Sequence, residues 1–210
     1  MFSIGNFFTV VPDFILACCQ GSNSPWDLLN NIEDMIKWII ANRGASLIKI
    51  DDDIYIGENT TIDTNVTIYG PAIIGSNCQI RSSAFIRENV LIGDNCVVGN
   101  SSEVKNSILL NQVEAPHFNY IGDSILGNYA HLGAGVILSN LRLDKKEIVI
   151  KHPTQGLIHT GRRKIGSIIG DCCEIGCNCV MNPGTILEKA CMVYPLKNIG
   201  GYYLKNSVVR

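Results

Sequence analysis

The sequence predicts an all-β protein, a parallel β-helix wound in three flat faces, and three observations carry that prediction. The first is a period of six: Ile50, Ile56, Ile62, Ile68, Ile74, Ile80, Ile86, Ile92, Val98 and Val104 are all Ile or Val. The second is the glycine that follows several of them, at Gly57, Gly75, Gly93 and Gly99. The third is that the period returns twice, as Leu126, Leu132 and Leu138, then as Ile169, Ile175, Met181, Leu187, Val193 and Ile199. An amphipathic helix repeats every ~3.6 residues and a half-buried strand every ~2, so neither makes this pattern. One hexad per face gives a coil of about 18 residues, with residue i about 4.8 Å below residue i+18.

The elements follow in chain order. The start, MFSIGNFFTVVPDFILACC, is apolar but lacks a basic leader and carries Pro12 and Asp13, so it reads as buried structure and not as a signal peptide. Ser24-Pro25-Trp26-Asp27 opens a helix: serine caps it, proline fits its first turn, and Asp27 closes a capping-box pattern. Leu28, Leu29, Ile32, Met35, Ile36, Ile39 and Ile40 form its apolar face, and Gly44 ends it. Residues 1–45 are therefore expected to be a helical cap or linker over the open end of the β-helix, where the last rung exposes unpaired backbone. Residues 46–205 are the β-helix. After Val104 the register is lost, and His117 sits in the break; the expectation is a loop that leaves the coil there and builds a site. Ser139 to Lys164 has no hexad register and contains RLDKK and TGRRK, so it is expected to be one long inserted loop with a functional role.

Bulk properties exclude several classes. A net charge of -2 gives no whole-chain field for nucleic acid, and no apolar run reaches a membrane span. Apolar residues make up 46% and charged residues 17%, which fits neither a disordered chain nor a coiled coil. Five of the nine cysteines, Cys78, Cys96, Cys173, Cys179 and Cys191, each stand two residues before an apolar repeat position. Other coils carry Ala84, Val66, Ala130 or Thr185 in that slot, so the thiols read as small core side chains. CCEIGCNC lacks paired Cys-x-x-Cys spacing, and the four histidines lack the spacing of a zinc lyase on this fold, so no metal is expected. Unpaired thiols in number suggest a reducing cytoplasm.

Short motifs go further. At VGNSSEVKNSI, HFNYIGD, LGAG and Asn140 the chain resembles the acetyltransferase domain of the bifunctional N-acetylglucosamine-1-phosphate uridylyltransferases. SNLRLDKK, TGRRKIG and PWDLL are closer to sugar-phosphate nucleotidyltransferases of archaeal type. The resemblance to these hexapeptide acyltransferases implies a left-handed coil, a homotrimer with sites between subunits, and acetyl-CoA as donor. The acceptor it implies is an amino-sugar 1-phosphate such as glucosamine 1-phosphate, within nucleotide-sugar and cell-envelope precursor synthesis. No strand followed by a GxGTRxxP loop opens the chain, so uridylyl transfer is not expected of it.

The same resemblance implies roles. His117 is the general base, the backbone N–H of Ala134 is the oxyanion donor, and Asn140 orients the substrate. Arg87 and Lys105 hold the phosphate, Glu103 orients the sugar or the lysine, Tyr120 contacts the sugar, and Lys146 is the loop lysine. Arg142, Lys145, Arg162, Arg163 and Lys164 are candidates for the CoA phosphates, with Cys177 beside the donor. The repeat adds an argument of its own: Arg87 and Lys105 are 18 apart, so they stack on adjacent rungs, where a phosphate relieves their repulsion. His131 stands where the family has asparagine, and Leu141 where it has tyrosine, which bears on the identity of the sugar. The competing reading is a non-catalytic β-helix that scaffolds or regulates a separate nucleotidyltransferase.

Overall fold

A computed structural model describes residues 4–18 and 24–210, and Cys19 lies outside them. The hexads form three parallel sheets that wind into a solenoid. The first face runs from Ile54–Ile56 through Ala72–Ile74 and Val90–Ile92 to Tyr202–Tyr203. The second runs in eight strands from Thr61–Ile62 to Val208–Val209, and the third in seven from Thr67–Ile68 to Asn198–Ile199. In the first coils the register is 18: Ile56 pairs with Ile74, Ile62 with Ile80 and Ile68 with Ile86. The repeat residues point inward, and those from Ile74 to Val104 are at most 3% exposed. The corners need a left-handed residue, which asparagine tolerates, and Asn59, Asn65, Asn77, Asn89 and Asn95 supply it at φ of 57 to 61°.

Four expectations are corrected in detail. Ile50 is not an inward position. The strand Ile48–Asp51 runs antiparallel to Ile54–Ile56, and Ile50 is 45% exposed. That reversed strand covers the edge of the first face and takes the place of a coil. The helical cap is present, but it covers the outer side of the first face, not the open end. The helices α1 (Asp13–Cys18) and α2 (Ile32–Arg43), with the 3-10 segment Pro25–Asn30 between them, bury Trp26, Leu28, Met35 and Ile36 against outward Ile73, Leu91, Ile108, Ile125, Ile168 and Ile186. A second apolar core results, outside the prism.

The inserted segment is also not an open loop. Val149–His152 and Gly156–His159 form an antiparallel hairpin that lies beside the helices, with Ile148, Ile150 and Ile165 in the second core. The His152 ring packs 4.2 Å from that of Tyr202. Finally, the chain does not leave the coil at His117. Glu114–His117 is a strand of the second face, with Ala115 buried in the inward row. What looked like a lost register is two corners, each one residue short.

The cysteine slot is a core position. Cys78, Cys96, Cys173, Cys179 and Cys191 are buried, and each Sγ donates to a backbone carbonyl one coil on, at 3.0 to 3.2 Å: Gly93, Leu110, Glu188, Tyr194 and Leu204. The thiol contact with Cys78, together with burial, pushes the Cys96 thiol well above its ordinary value. Cys191 and burial do the same for Cys173. Among the described residues no helix is long and apolar enough to cross a membrane.

Candidate functional site

The site grows from one irregular corner, between the third and first faces. From Val104 to Leu109, and again from Ile121 to Leu126, the inward residues are one position closer than a hexad. The register falls to 17: Leu91 pairs with Ile108, Val97 with Glu114 and Glu103 with Tyr120. The shortened turns are tight and hold Asn106 and Asp123 at φ of 45 and 48°. They stack, so Asn106 Nδ2 donates to Asp123 Oδ1 at 2.7 Å. In the next coil the same corner carries Asn140, whose Nδ2 donates to Asp123 Oδ2 at 2.5 Å. Asp123 is 7% exposed, so its carboxylate is a buried hub between amides from the coils on either side.

The third face carries the polar cluster. Phe85, Glu103, Tyr120 and Ile137 form one outward column, and Arg87 and Lys105 stand in the next. Arg87 N–H donates to the Val104 carbonyl at 2.8 Å, which places Arg87 and Lys105 on adjacent rungs as their spacing predicts. Their charges are not equally free. Arg87 Nη1 lies 3.1 Å from Glu103 Oε1 and its Nε 3.8 Å from Glu88 Oε2. Glu103 holds the Arg87 guanidinium in its charged form. Lys105 has no carboxylate within 4 Å among the described residues, so it keeps an unmet positive charge. The Tyr120 phenol closes over the strand toward Asn140. A Cβ on Gly122 would meet Tyr120 Oη at 2.6 Å and Asn140 Nδ2 at 2.9 Å, so glycine is what permits that approach. Burial, then the charges of Glu103 and Asp123, push the Tyr120 phenol up from its usual value.

His117 lies at the corner between the second and third faces, three residues before Tyr120 on the same chain. Its side chain is exposed, while its backbone is fixed. Its carbonyl accepts the Gly135 N–H at 3.0 Å and its N–H reaches Asn119 Oδ1 at 3.2 Å. Asn119 is buried and donates from Nδ2 to the Gly133 carbonyl at 2.9 Å. The Gly99 hydrogen makes room for this strand, since a Cβ there would fall 1.6 Å from the Pro116 carbonyl oxygen. Ala134 stands one rung beyond His117 and Cys177 one rung beyond Ala134. Among the described residues the Ala134 N–H meets no backbone acceptor.

The family model described as the GMPPB C-terminal domain matches residues 68–209. The chain belongs to the GMPPB C-terminal domain family. The bifunctional sugar-1-phosphate nucleotidylyltransferase/acetyltransferase of Sulfurisphaera tokodaii is 33% identical over 88 residues, 42% of this chain and 22% of that protein. The bifunctional protein GlmU of Methanococcus maripaludis is 36% identical over 77 residues, 37% of this chain and 18% of that protein. The putative uncharacterized acetyltransferase YaiX of Escherichia coli is 34% identical over 97 residues, 43% of this chain and 42% of that protein. The aligned part of this chain thus spans less than half the length of each of these relatives. Among solved structures, the UDP-N-acetylglucosamine acyltransferase from Campylobacter jejuni superposes with a TM-score of 0.53 at 15% identity, over 72% of this chain and 58% of that one. That likeness is one of fold.

Every sequence-predicted site residue falls inside the stretch that matches the GMPPB C-terminal domain, whereas the helical layer before residue 68 does not. The structure brings together Arg87, Glu103, Lys105, Tyr120 and Asn140 on or beside the third face, and His117 with Ala134 and Cys177 at its first corner. His131 stands apart from the third-face cluster. It stands on the second face, in register with Glu114 and Glu174, with Nδ1 3.0 Å from Glu174 Oε2. There it lines a groove of about 320 Å³ with Cys177, Met192 and Tyr194.

The loop cations lie on two stretches of the insertion that meet where Arg163 Nε donates to the Lys145 carbonyl at 2.9 Å. Arg142 is clamped by Asp144 at 2.9 and 2.8 Å, and Lys145 and Lys146 are exposed beside it. Arg162, Arg163 and Lys164 line a groove at the root of the insertion. Asp123 and Asn119 were not singled out by periodicity. Their only sequence signal was their place in HFNYIGD.

Proposed function

We propose that this chain transfers an acyl group, most simply acetyl from acetyl-CoA, to the amine of an amino-sugar 1-phosphate such as glucosamine 1-phosphate. The observation that carries the reading is the third face. An exposed histidine, a phenol, an oriented amide and two cations, one of them unpaired, lie along four successive strands of that face and their corners. Lys105 and Arg87 take the phosphate, with Glu103 dividing its charge between Arg87 and the sugar. Asn140, its Nδ2 committed to Asp123, offers its carbonyl oxygen to a sugar donor, and Tyr120 lines the ring. His117 removes the ammonium proton, and the free amine then attacks the thioester carbonyl. The Ala134 N–H one rung away faces the oxyanion. Collapse expels the CoA thiolate, which takes the imidazolium proton; the nitrogen, still carrying one proton too many after attack, passes it to the freed imidazole and so to solvent, leaving amide, thiol and one proton. Lys146, exposed on the insertion with its N–H on Asp144 Oδ1, is the loop lysine of this reading. His131 reaches such a site from the second face only if a neighbouring copy presents it, which fits a homotrimer with sites between subunits.

One observation favours the second reading, a β-helix that serves a separate nucleotidyltransferase: Arg87 already has Glu103 as partner. A thiol-release assay with acetyl-CoA against a panel of amino-sugar phosphates decides. Activity should fall about 10²–10⁴-fold in kcat for His117→Ala, with little change in KM. Lys105→Ala and Arg87→Ala should chiefly raise KM for the sugar phosphate, Lys105→Ala more, because its charge is unshared. No thiol release with any acceptor, together with stable binding to a nucleotidyltransferase, would establish the second reading. A monomer mass by light scattering at micromolar concentration would remove the trimer.

A further inference from the structure

Three consecutive cations, Arg162, Arg163 and Lys164, line a groove of about 710 Å³ at the root of the inserted hairpin. Asp27 and Asn30 of the segment Pro25–Asn30 form the facing wall, and Leu141 contributes to the lining. The backbone under the cations is pinned on both sides. Arg162 accepts the Ile148 N–H at 2.7 Å, Gly161 N–H donates to Glu147 Oε1 at 2.8 Å, and Ile165 N–H donates to the Asn140 carbonyl at 3.1 Å. Leu141 and Lys164 form an antiparallel bridge. Three like charges are thus held side by side on rigid backbone, where a flexible loop would let them spread apart.

One carboxylate, Asp27, lines this groove, and it serves both a cap and a cation. Asp27 Oδ2 accepts the Ser24 N–H at 3.2 Å as the cap of its segment. Its Oδ1 stands 3.5 Å from Arg162 Nη2, long for a charge-assisted contact. Arg163 gives its Nε to the Lys145 carbonyl at 2.9 Å, and neither Arg163 nor Lys164 has a carboxylate within 4 Å among the described residues. Three cations against one shared carboxylate leave a deficit of about two negative charges, in a groove of small-molecule size.

We infer that this groove binds the diphosphate of a nucleotide-like ligand, with Asp27 as a built-in competitor that the ligand displaces from Arg162. Two sources carry that chemistry: the diphosphate of CoA and a nucleoside diphosphate sugar. The first would extend the acyltransferase reading and rests on it, whereas the second would make the groove an effector site. In either case the groove adjoins the site, because the Asn140 carbonyl is one end of the pinned backbone.

The test is calorimetric titration of the full chain with CoA, with UDP-N-acetylglucosamine and with inorganic pyrophosphate as competitor. One of the two organic ligands should bind, and pyrophosphate should displace it. Arg163→Gln and Lys164→Gln, both at exposed positions, should each weaken binding about tenfold. Asp27→Asn keeps a cap acceptor and should strengthen it several-fold. Raising salt from about 0.05 to 0.5 M should weaken it. Binding of CoA assigns the groove to the donor, and binding of the UDP-sugar assigns it to an effector. Repeating the titration with His117→Ala separates this proposal from the catalytic one, since binding should persist there even if no acyl transfer is ever found. If neither organic ligand binds more tightly than about 1 mM, or if binding ignores all three substitutions, the proposal is overturned.

Discussion

Asp123 ties three coils together. It accepts from Asn106 below and Asn140 above, and its own N–H donates to the Lys105 carbonyl at 3.0 Å. Asp123→Asn would keep an oxygen for one of these two amide donors and turn an NH2 toward the other. We expect a loss of about 1–3 kcal/mol in urea unfolding and a fall in kcat/KM, because Asn140 loses its orientation. Unchanged stability would mean the hub is not shared. The phenols supply a pH test. Burial first, then the charges of Glu103 and Asp123, raises Tyr120; burial first, then the Glu188 contact at 2.7 Å, raises Tyr202. Both phenols therefore stay protonated in the folded chain at a pH where the unfolded chain has lost those protons. The stability they contribute is complete below the ordinary phenol value of 10.0 and declines as pH rises past it. The denaturation midpoint should fall from pH 10 upward, and an absorbance titration should show these two phenolates forming late. At this scale the motifs named His117, Arg87, Lys105 and Asn140 as candidates and did not name Asp123, because its role is a contact with side chains 17 residues away on both sides.

The hexad is the element that organises the chain, and its slots differ in energy. Ile86 is fully buried and Ile50 is 45% exposed, although both occupy the same phase of the period. Ile86→Ala should cost about 2–5 kcal/mol in chemical unfolding, and Ile50→Ala under about 1. Equal costs would argue that Ile50 is a true inward position. The helical segments were legible through Ser24, Asp27 and their apolar spacing, but the surface they cover was not. A signal for it was present: in six successive coils of the first face an Ile or Leu precedes the inward residue, as in Ile73-Ile74, Leu91-Ile92, Ile108-Leu109, Ile125-Leu126, Ile168-Ile169 and Ile186-Leu187, whereas the other two faces carry an apolar pair only in some coils, as at Val97-Val98 and Ile137-Leu138. Two adjacent apolar residues on one strand face opposite ways, so a face that carries such pairs in every coil has a partner on its outside. The cysteine slot read correctly from sequence as a core position, because a small side chain two residues before each inward position meets the next coil's backbone.

For the whole molecule, the helices and the hairpin cover one face of the prism and leave two for ligands or other copies. Removing residues 1–45 would uncover the outward Ile and Leu row of the first face, each member of which contributes about 1.5–3 kcal/mol by burial. The truncated chain should bind a hydrophobic dye and associate in light scattering, with the hexad coil still giving a β spectrum. A soluble truncation with no dye binding would mean the second core is dispensable. The sequence by itself determined the coil, its three faces, the inward row and the thiol slot. Each of these is local or repeats at a short fixed interval, so every hexad states the same instruction. The tertiary structure alone decided where the helices lie, that the insertion is a hairpin, that His131 stands apart from Asn140, and that Asp27 faces Arg162. These depend on residues far apart in sequence, such as Phe7 against Tyr202 at 6.3 Å between ring centres. No period relates such positions, and only the packed chain brings them together.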